Sequence, residues 1–172
     1  MKEKQNGDGS AENASVHEDQ QMPVIIHAQY VKDISFENPN APETLRAGQK
    51  GPEMDVNINM DARKIESSGE ENFYEVTLVL TAKAFREKQS VFLAEIHYGA
   101  LISMPGVSEE NHHPLLLIEI PKTLFPFARQ LMAELTQSGG YPPLLLNPVD
   151  FHALYLQQFD KEKAEEPENP GS

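Results

Sequence analysis

Between positions 54 and 61 the chain alternates without a break. Met54, Val56, Ile58 and Met60 are apolar, and Asp55, Asn57, Asn59 and Asp61 are polar. Successive side chains of a strand point to opposite faces, so this pattern specifies a strand with one face buried and one in water. Such a strand needs neighbours along its edges and a second layer over its apolar face.

Three further segments supply the neighbours. Residues 24–36 read as a first strand, with Ile26, Ala28 and Tyr30 on one face and Gln29, Val31 and Asp33 on the other. Asn38-Pro39-Asn40-Ala41-Pro42 ends it, because proline removes donors and restricts the residue before it. Residues 44–51 then read as a loop, with no aromatic side chain. After a turn at Ser67-Ser68-Gly69, residues 73–83 form a third strand with Tyr74, Val76, Leu78, Leu80 and Ala82 inward. Residues 90–102 form a fourth, with Phe92, Ala94, Ile96, Tyr98 and Ala100 inward. Strands in succession without intervening helices predict an antiparallel sheet.

The second layer comes from the C-terminal part. Thr123 is the expected N-cap of a helix with Pro126 in its first turn. Leu124, Ala128, Leu131 and Leu135 make its apolar stripe, widened by Phe127 and Met132. Gly139-Gly140 stops it, and 141–146 is an apolar connector. Asn147 and Pro148 open a second helix carrying Phe151, Leu154, Tyr155 and Phe159 on one side. The expected fold is α+β, a four-stranded antiparallel sheet with C-terminal helices on one face.

Residues 1–22 and 161–172 are polar or acidic and read as disordered tails, which leaves 23–160 as one domain. The net charge is −13 and there is no cysteine. An acidic surface repels nucleic acid and anionic membranes and favours a basic partner. Residues 1–22 lack the apolar core of a signal peptide, and no stretch approaches the roughly 20 apolar residues of a bilayer span. The expected location is therefore the cytoplasm, without direct membrane insertion.

The fourth strand offers a local functional clue. With Phe92, Ala94 and Ile96 inward, Leu93, Glu95 and His97 face outward. An outward leucine beside a glutamate suits a docking surface, although single exposed leucines are also ordinary. His112-His113 is the one adjacent histidine pair, and its spacing does not suit a metal, so no metal site is expected even with His97 or Glu109 nearby. Acid–base work with Glu119 rests on residue types alone. Phe151, Leu154 and Tyr155 suit a core, a groove for extended apolar segments or an oligomer interface.

The run Tyr30-Val31-Lys32-Asp33-Ile34-Ser35-Phe36-Glu37-Asn38-Pro39-Asn40-Ala41-Pro42 resembles the N-terminal signature of the SecB export chaperones. Tyr74-Glu75-Val76, Leu124-Phe125-Pro126-Phe127-Ala128-Arg129 and the segment opening Tyr141-Pro142-Pro143 agree in order. The resemblance implies a homotetramer built as a dimer of dimers, without cofactor or catalysis. It implies a holding chaperone that binds unfolded precursor proteins in hydrophobic grooves and delivers them to the SecA motor ATPase. Asp33, Glu37, Leu93 and Glu95 match its SecA contacts. Tyr155 matches a groove aromatic, and Met54, Val56, Ile58 and Met60 fall in the groove region, with Phe151 beside them. Leu124, Phe127, Leu131 and Leu135 are the expected oligomer contacts. Two other readings remain open: a small hydrolase or isomerase using His112 or His113 with a carboxylate, and a structural oligomerisation module.

Overall fold

The structure, a computed structural model, describes residues 24–66 and 72–165, with side chains as far as Gln158. The expected tail 1–22 and the turn at Ser67-Ser68-Gly69 lie outside the described residues. Four antiparallel strands, β1 (Ile25–Glu37), β2 (Glu53–Ile65), β3 (Phe73–Arg86) and β4 (Gln89–Ser103), form one sheet in the order β1-β4-β3-β2. The expected α+β class is the observed one, with helix α1 (Ile120–Ser138) packed on β3 and β4 and helix α2 (Phe151–Glu165) after it.

The central strands obey the two-residue period. Val76, Leu78, Leu80 and Ala82 of β3 and Ala94, Ile96, Ala100 and Ile102 of β4 are all fully buried under α1. Strand β1 departs from it. Its register against β4 shifts between Ile26 and Ala28 and again between Val31 and Asp33. Each shift is a bulge, which puts two residues opposite one and reverses the facing of the residues beyond it. Ile26, Gln29, Val31, Ile34 and Phe36 therefore oppose helix-facing residues of β4, whereas Tyr30, Asp33, Ser35 and Glu37 oppose outward ones. The expected grouping of Tyr30 with Ile26, and of Asp33 with Val31, is corrected by these two bulges.

The helical layer also starts earlier than its sequence signals suggest. A 3₁₀ turn (Glu109–Asn111), a short α turn (His112–Pro114) and a π turn (Leu115–Glu119) form a stem that runs straight into α1. Thr123 is consequently inside the helix, its hydroxyl donating to the Glu119 carbonyl at 3.1 Å, and it is not a cap. Pro121 takes the N-terminal position, and Pro126 sits in the interior. The carbonyl that Pro126 leaves without a donor belongs to exposed Lys122, where water can satisfy it. The N-cap of α2 is Asp150, whose Oδ1 accepts the Ala153 N–H at 3.0 Å, and not Asn147. Leu146 is buried, and residues 142–150 carry no regular structure before the helix begins at Phe151. Helix α2 continues to Glu165, past the expected tail boundary at residue 161.

The motif after β1 closes the fold. Phe36 stacks on Phe92 at 5.5 Å, and Phe92 meets Tyr141 at 4.9 Å. Tyr141 donates to Asn38 Oδ1 at 2.8 Å, and Asn40 Nδ2 donates to the Ser90 carbonyl at 2.8 Å. The end of α1 approaches so closely that a Cβ at Gly139 would overlap the Phe36 ring. The residues that carry the family resemblance thus join the end of β1 to the start of β4 and the end of α1.

Candidate functional site

The outward face of the sheet gathers the acidic side chains. Across the β1–β4 ladder Asp33 opposes His97, Ser35 opposes Glu95 and Glu37 opposes Leu93. All four expected SecA-contact residues therefore lie on one surface, with Asp33 and Glu37 exposed and Leu93 and Glu95 half-buried. His97 Nε2 lies 2.8 Å from Glu95 Oε1, and Thr81 donates to Glu95 Oε2 at 3.3 Å. The His97 hydrogen bond is the main cause that holds the Glu95 carboxyl below the usual range. Donor atoms of Asp33, Glu95 and His97 come within 4.8 Å of one another, the group among the described residues best able to share a cation. Its members are open to water, and Glu95 is already engaged by two partners.

Beside this patch lies a closed polar network. Glu75 is only 5% exposed. It accepts from Tyr30 at 2.5 Å, from Lys32 at 2.9 Å and from Arg63 at 2.6 Å. The hydrogen bond from Tyr30 is the largest cause that lowers its carboxyl to about 2. The Tyr30 ring reaches Glu75 across Gly99, where a Cβ would sit 2.8 Å from the ring. Glycine at this position is what admits the tyrosine. Burial, then the Glu75 hydrogen bond, raises the Tyr30 hydroxyl to about 12.

On the helical side a groove of about 570 Å³ runs between β2 and the connector into α2. Val56 and Ile58 form one wall, Leu144 to Val149 the other, and Ala153 and Leu154 the end. Leu145 is 64% exposed over it. Sequence reasoning misses the connector as a wall. Its signal is an apolar run bracketed by Pro142, Pro143 and Pro148, which cannot coil into a helix and stays open. Of the other expected groove residues, Met54 is exposed farther along β2 and Met60 is buried. Phe151 is a correction: it is 1% exposed and packs edge-on against Phe125 at 5.7 Å, in the core. Tyr155 turns toward the stem rather than into the groove.

The edge next to β1 carries a different apolar surface. Phe127 is 49% exposed and stacks on Tyr98 at 6.2 Å. With Leu131 and Val31 it lines a depression of about 400 Å³. Leu135 is half-buried. Leu124, expected at an oligomer contact, is fully buried in the core, because its side of α1 faces the sheet.

The histidine pair is spent on tertiary hydrogen bonds. His112, expected in a solvated loop, is buried in the stem. Its Nδ1 meets the Tyr74 hydroxyl at 2.9 Å and its Nε2 meets the Val107 carbonyl at 3.0 Å. A carbonyl only accepts, so Nε2 donates the hydrogen bond to Val107. His113 Nδ1 lies 2.8 Å from the Tyr155 hydroxyl, and Glu119 pairs with Lys122 at 2.8 Å.

The sheet thus has an acidic outer face and an apolar groove on its other side, and the histidine pair is hydrogen-bonded within the fold. The family model described as preprotein translocase subunit SecB matches residues 17–162. The chain belongs to the SecB family of protein-export chaperones, which are not enzymes. A protein-export protein SecB from Maricaulis maris is 48% identical over 91% of this chain and 87% of its own length. One from Bartonella bacilliformis is 39% identical over 91% of this chain and 97% of its own. Among solved structures, the fold is similar to the SecB-like chaperone Rv1957 of Mycobacterium tuberculosis, which was solved in complex with a ChAD peptide from an antitoxin. That match has a TM-score of 0.56 at 17% identity, over 73% of this chain and 90% of the other. Among the described residues no helix is long and apolar enough to cross a membrane.

Proposed function

We propose that this chain is a cytoplasmic holding chaperone that keeps unfolded precursor proteins export-competent and passes them to the SecA motor ATPase. The observation that carries the reading is the open apolar groove between β2 and the connector, with Val56 and Leu145 exposed across it. A folded chain does not leave contiguous apolar surface in water without use, and an extended apolar segment is its natural occupant. Clients enter there and SecA docks on the opposite face, at Leu93 among Asp33, Glu37 and Glu95. Separate faces allow one partner to arrive while the other is held. The working form is a homotetramer, a dimer of dimers, in which the Phe127 surface beside β1 meets a second copy.

Aggregation suppression tests this function. The wild-type chain holds a slow-folding precursor in solution, whereas Val56→Arg and Leu145→Glu lose holding without losing the fold. Full holding by both variants refutes the groove as the client site.

A further inference from the structure

The two adjacent histidines divide between two layers of the fold. His112 ties the stem to β3 through Tyr74. His113 leaves the stem in the other direction and meets Tyr155 of α2, at 2.8 Å to its hydroxyl and with the rings edge-on at 5.3 Å. Helix α2 has further anchors in its described part, Leu154 packed against the core among them. Phe151 is buried against Phe125 at its start, and Gln158 donates to Asn59 of β2 at 3.1 Å one turn beyond Tyr155. Phe151 and Tyr155 are four residues apart and share the helix face that meets the core and stem. Ala153 and Gln157, also four apart, share the face that lines the groove.

We propose that His113 is a positioning residue for the client groove. By holding Tyr155 it sets the rotation of α2 about its axis, and so presents Ala153, Leu154 and Gln157 to a bound segment. The inference rests on the groove reading above. Phe151 fixes the start of the helix, and Leu154 and Tyr155 pack against the core in the next turn. The Tyr155–His113 contact adds a polar tie that resists roll of this turn from the stem side, while Gln158 resists it from the sheet side. Because His113 is exposed, water competes for the hydrogen bond and the expected effect is moderate.

The test uses the full chain and a permanently unfolded probe, reduced and carboxymethylated α-lactalbumin. His113→Ala should weaken probe binding by about three- to tenfold, with the circular dichroism and assembly mass unchanged. His113→Asn places an amide near the position of Nδ1 and should restore most of the affinity. Tyr155→Phe should weaken binding in the same direction as His113→Ala, and the double variant should fall short of additivity, since both remove the same hydrogen bond. Amide hydrogen exchange should quicken over 153–158 in His113→Ala and stay unchanged over 122–138. Unchanged exchange in α2 overturns the inference. So does faster exchange with unchanged affinity, when Val56→Arg abolishes binding. Full probe affinity in Val56→Arg overturns the groove reading itself, and this inference with it.

Discussion

Glu37 of β1 lies directly opposite Leu93 of β4, on the outward face of the sheet. Two outward-facing pairs farther along, beyond Ser35 and Glu95, Asp33 opposes His97. The arrangement sets an apolar anchor at one end of an acidic strip, and its two parts should answer differently to mutation. Rim charges act mainly on association rate, whereas a desolvated anchor governs dissociation. Leu93→Arg should weaken SecA binding by roughly 30-fold at any ionic strength. Glu37→Lys and Asp33→Lys should weaken it by about three- to tenfold at low salt, with the difference largely gone at roughly 1 M salt. Calorimetric titration at two salt concentrations separates these effects. Identical salt dependence for all three variants would contradict the division.

Glu75 makes a pH prediction with a definite sign. Its carboxyl stands at about 2 in the folded chain, below the ordinary value of 4.5, chiefly through the Tyr30 hydrogen bond. A depressed acid binds fewer protons folded than unfolded, so its stabilisation is complete above pH 4.5 and is lost as pH falls toward 2. The loss over that window is at most about 3.5 kcal/mol. Glu75→Gln should remove the acid-dependent part and flatten the midpoint of urea unfolding between those two pH values. An unaltered pH profile in Glu75→Gln would assign the acid sensitivity elsewhere.

Gly139 should tolerate no side chain. A Cβ there overlaps the Phe36 ring, which is held in turn between Phe92 and Tyr141. Gly139→Ala should cost about 1 to 3 kcal/mol, seen as a fall in Tm. Adding Phe36→Leu, which shortens the offending side chain, should recover part of the loss. A neutral Gly139→Ala would show that the end of α1 can move away from β1.

The pattern of these residues explains what is readable in the sequence. From the Phe73–Ser103 pair to the Ala84–Phe92 pair β3 and β4 keep a two-residue period, and their one register shift lies beyond Ala84, so alternation alone places Leu93 and Glu95 outward. Alternation groups Tyr30 and Asp33 wrongly, because bulges insert single residues and leave no periodic trace. The stem is hidden for a related reason: Pro114, Pro121 and a π turn interrupt the 3.6-residue period. Helical spacing places Phe151 and Leu124 on apolar stripes but cannot tell a core stripe from a binding surface. The connector is aperiodic, and only the fold shows that it stands opposite Val56.

Phe127 separates packing within one chain from association between copies. It belongs to the stripe of α1, yet half its surface meets water, and its stacking on Tyr98 leaves the other side of the ring open. Val31 and Ile34 of β1 are exposed on the same helix-facing side of the sheet, and β1 is an edge strand. A free edge beside exposed apolar side chains favours pairing with another chain, and a second copy in twofold arrangement meets it with the same surface. A charge there must be buried on assembly without a partner, which is costly. Phe127→Asp and Val31→Asp should therefore lower the assembly mass in light scattering at micromolar concentration. Truncation to Phe127→Ala should weaken assembly less. Leu124→Ala opens a hole in the core and should cost about 2 to 5 kcal/mol of stability, without lowering the assembly mass of the molecules that remain folded. A tetramer of unchanged mass in both aspartate variants would move the interface away from the β1 edge.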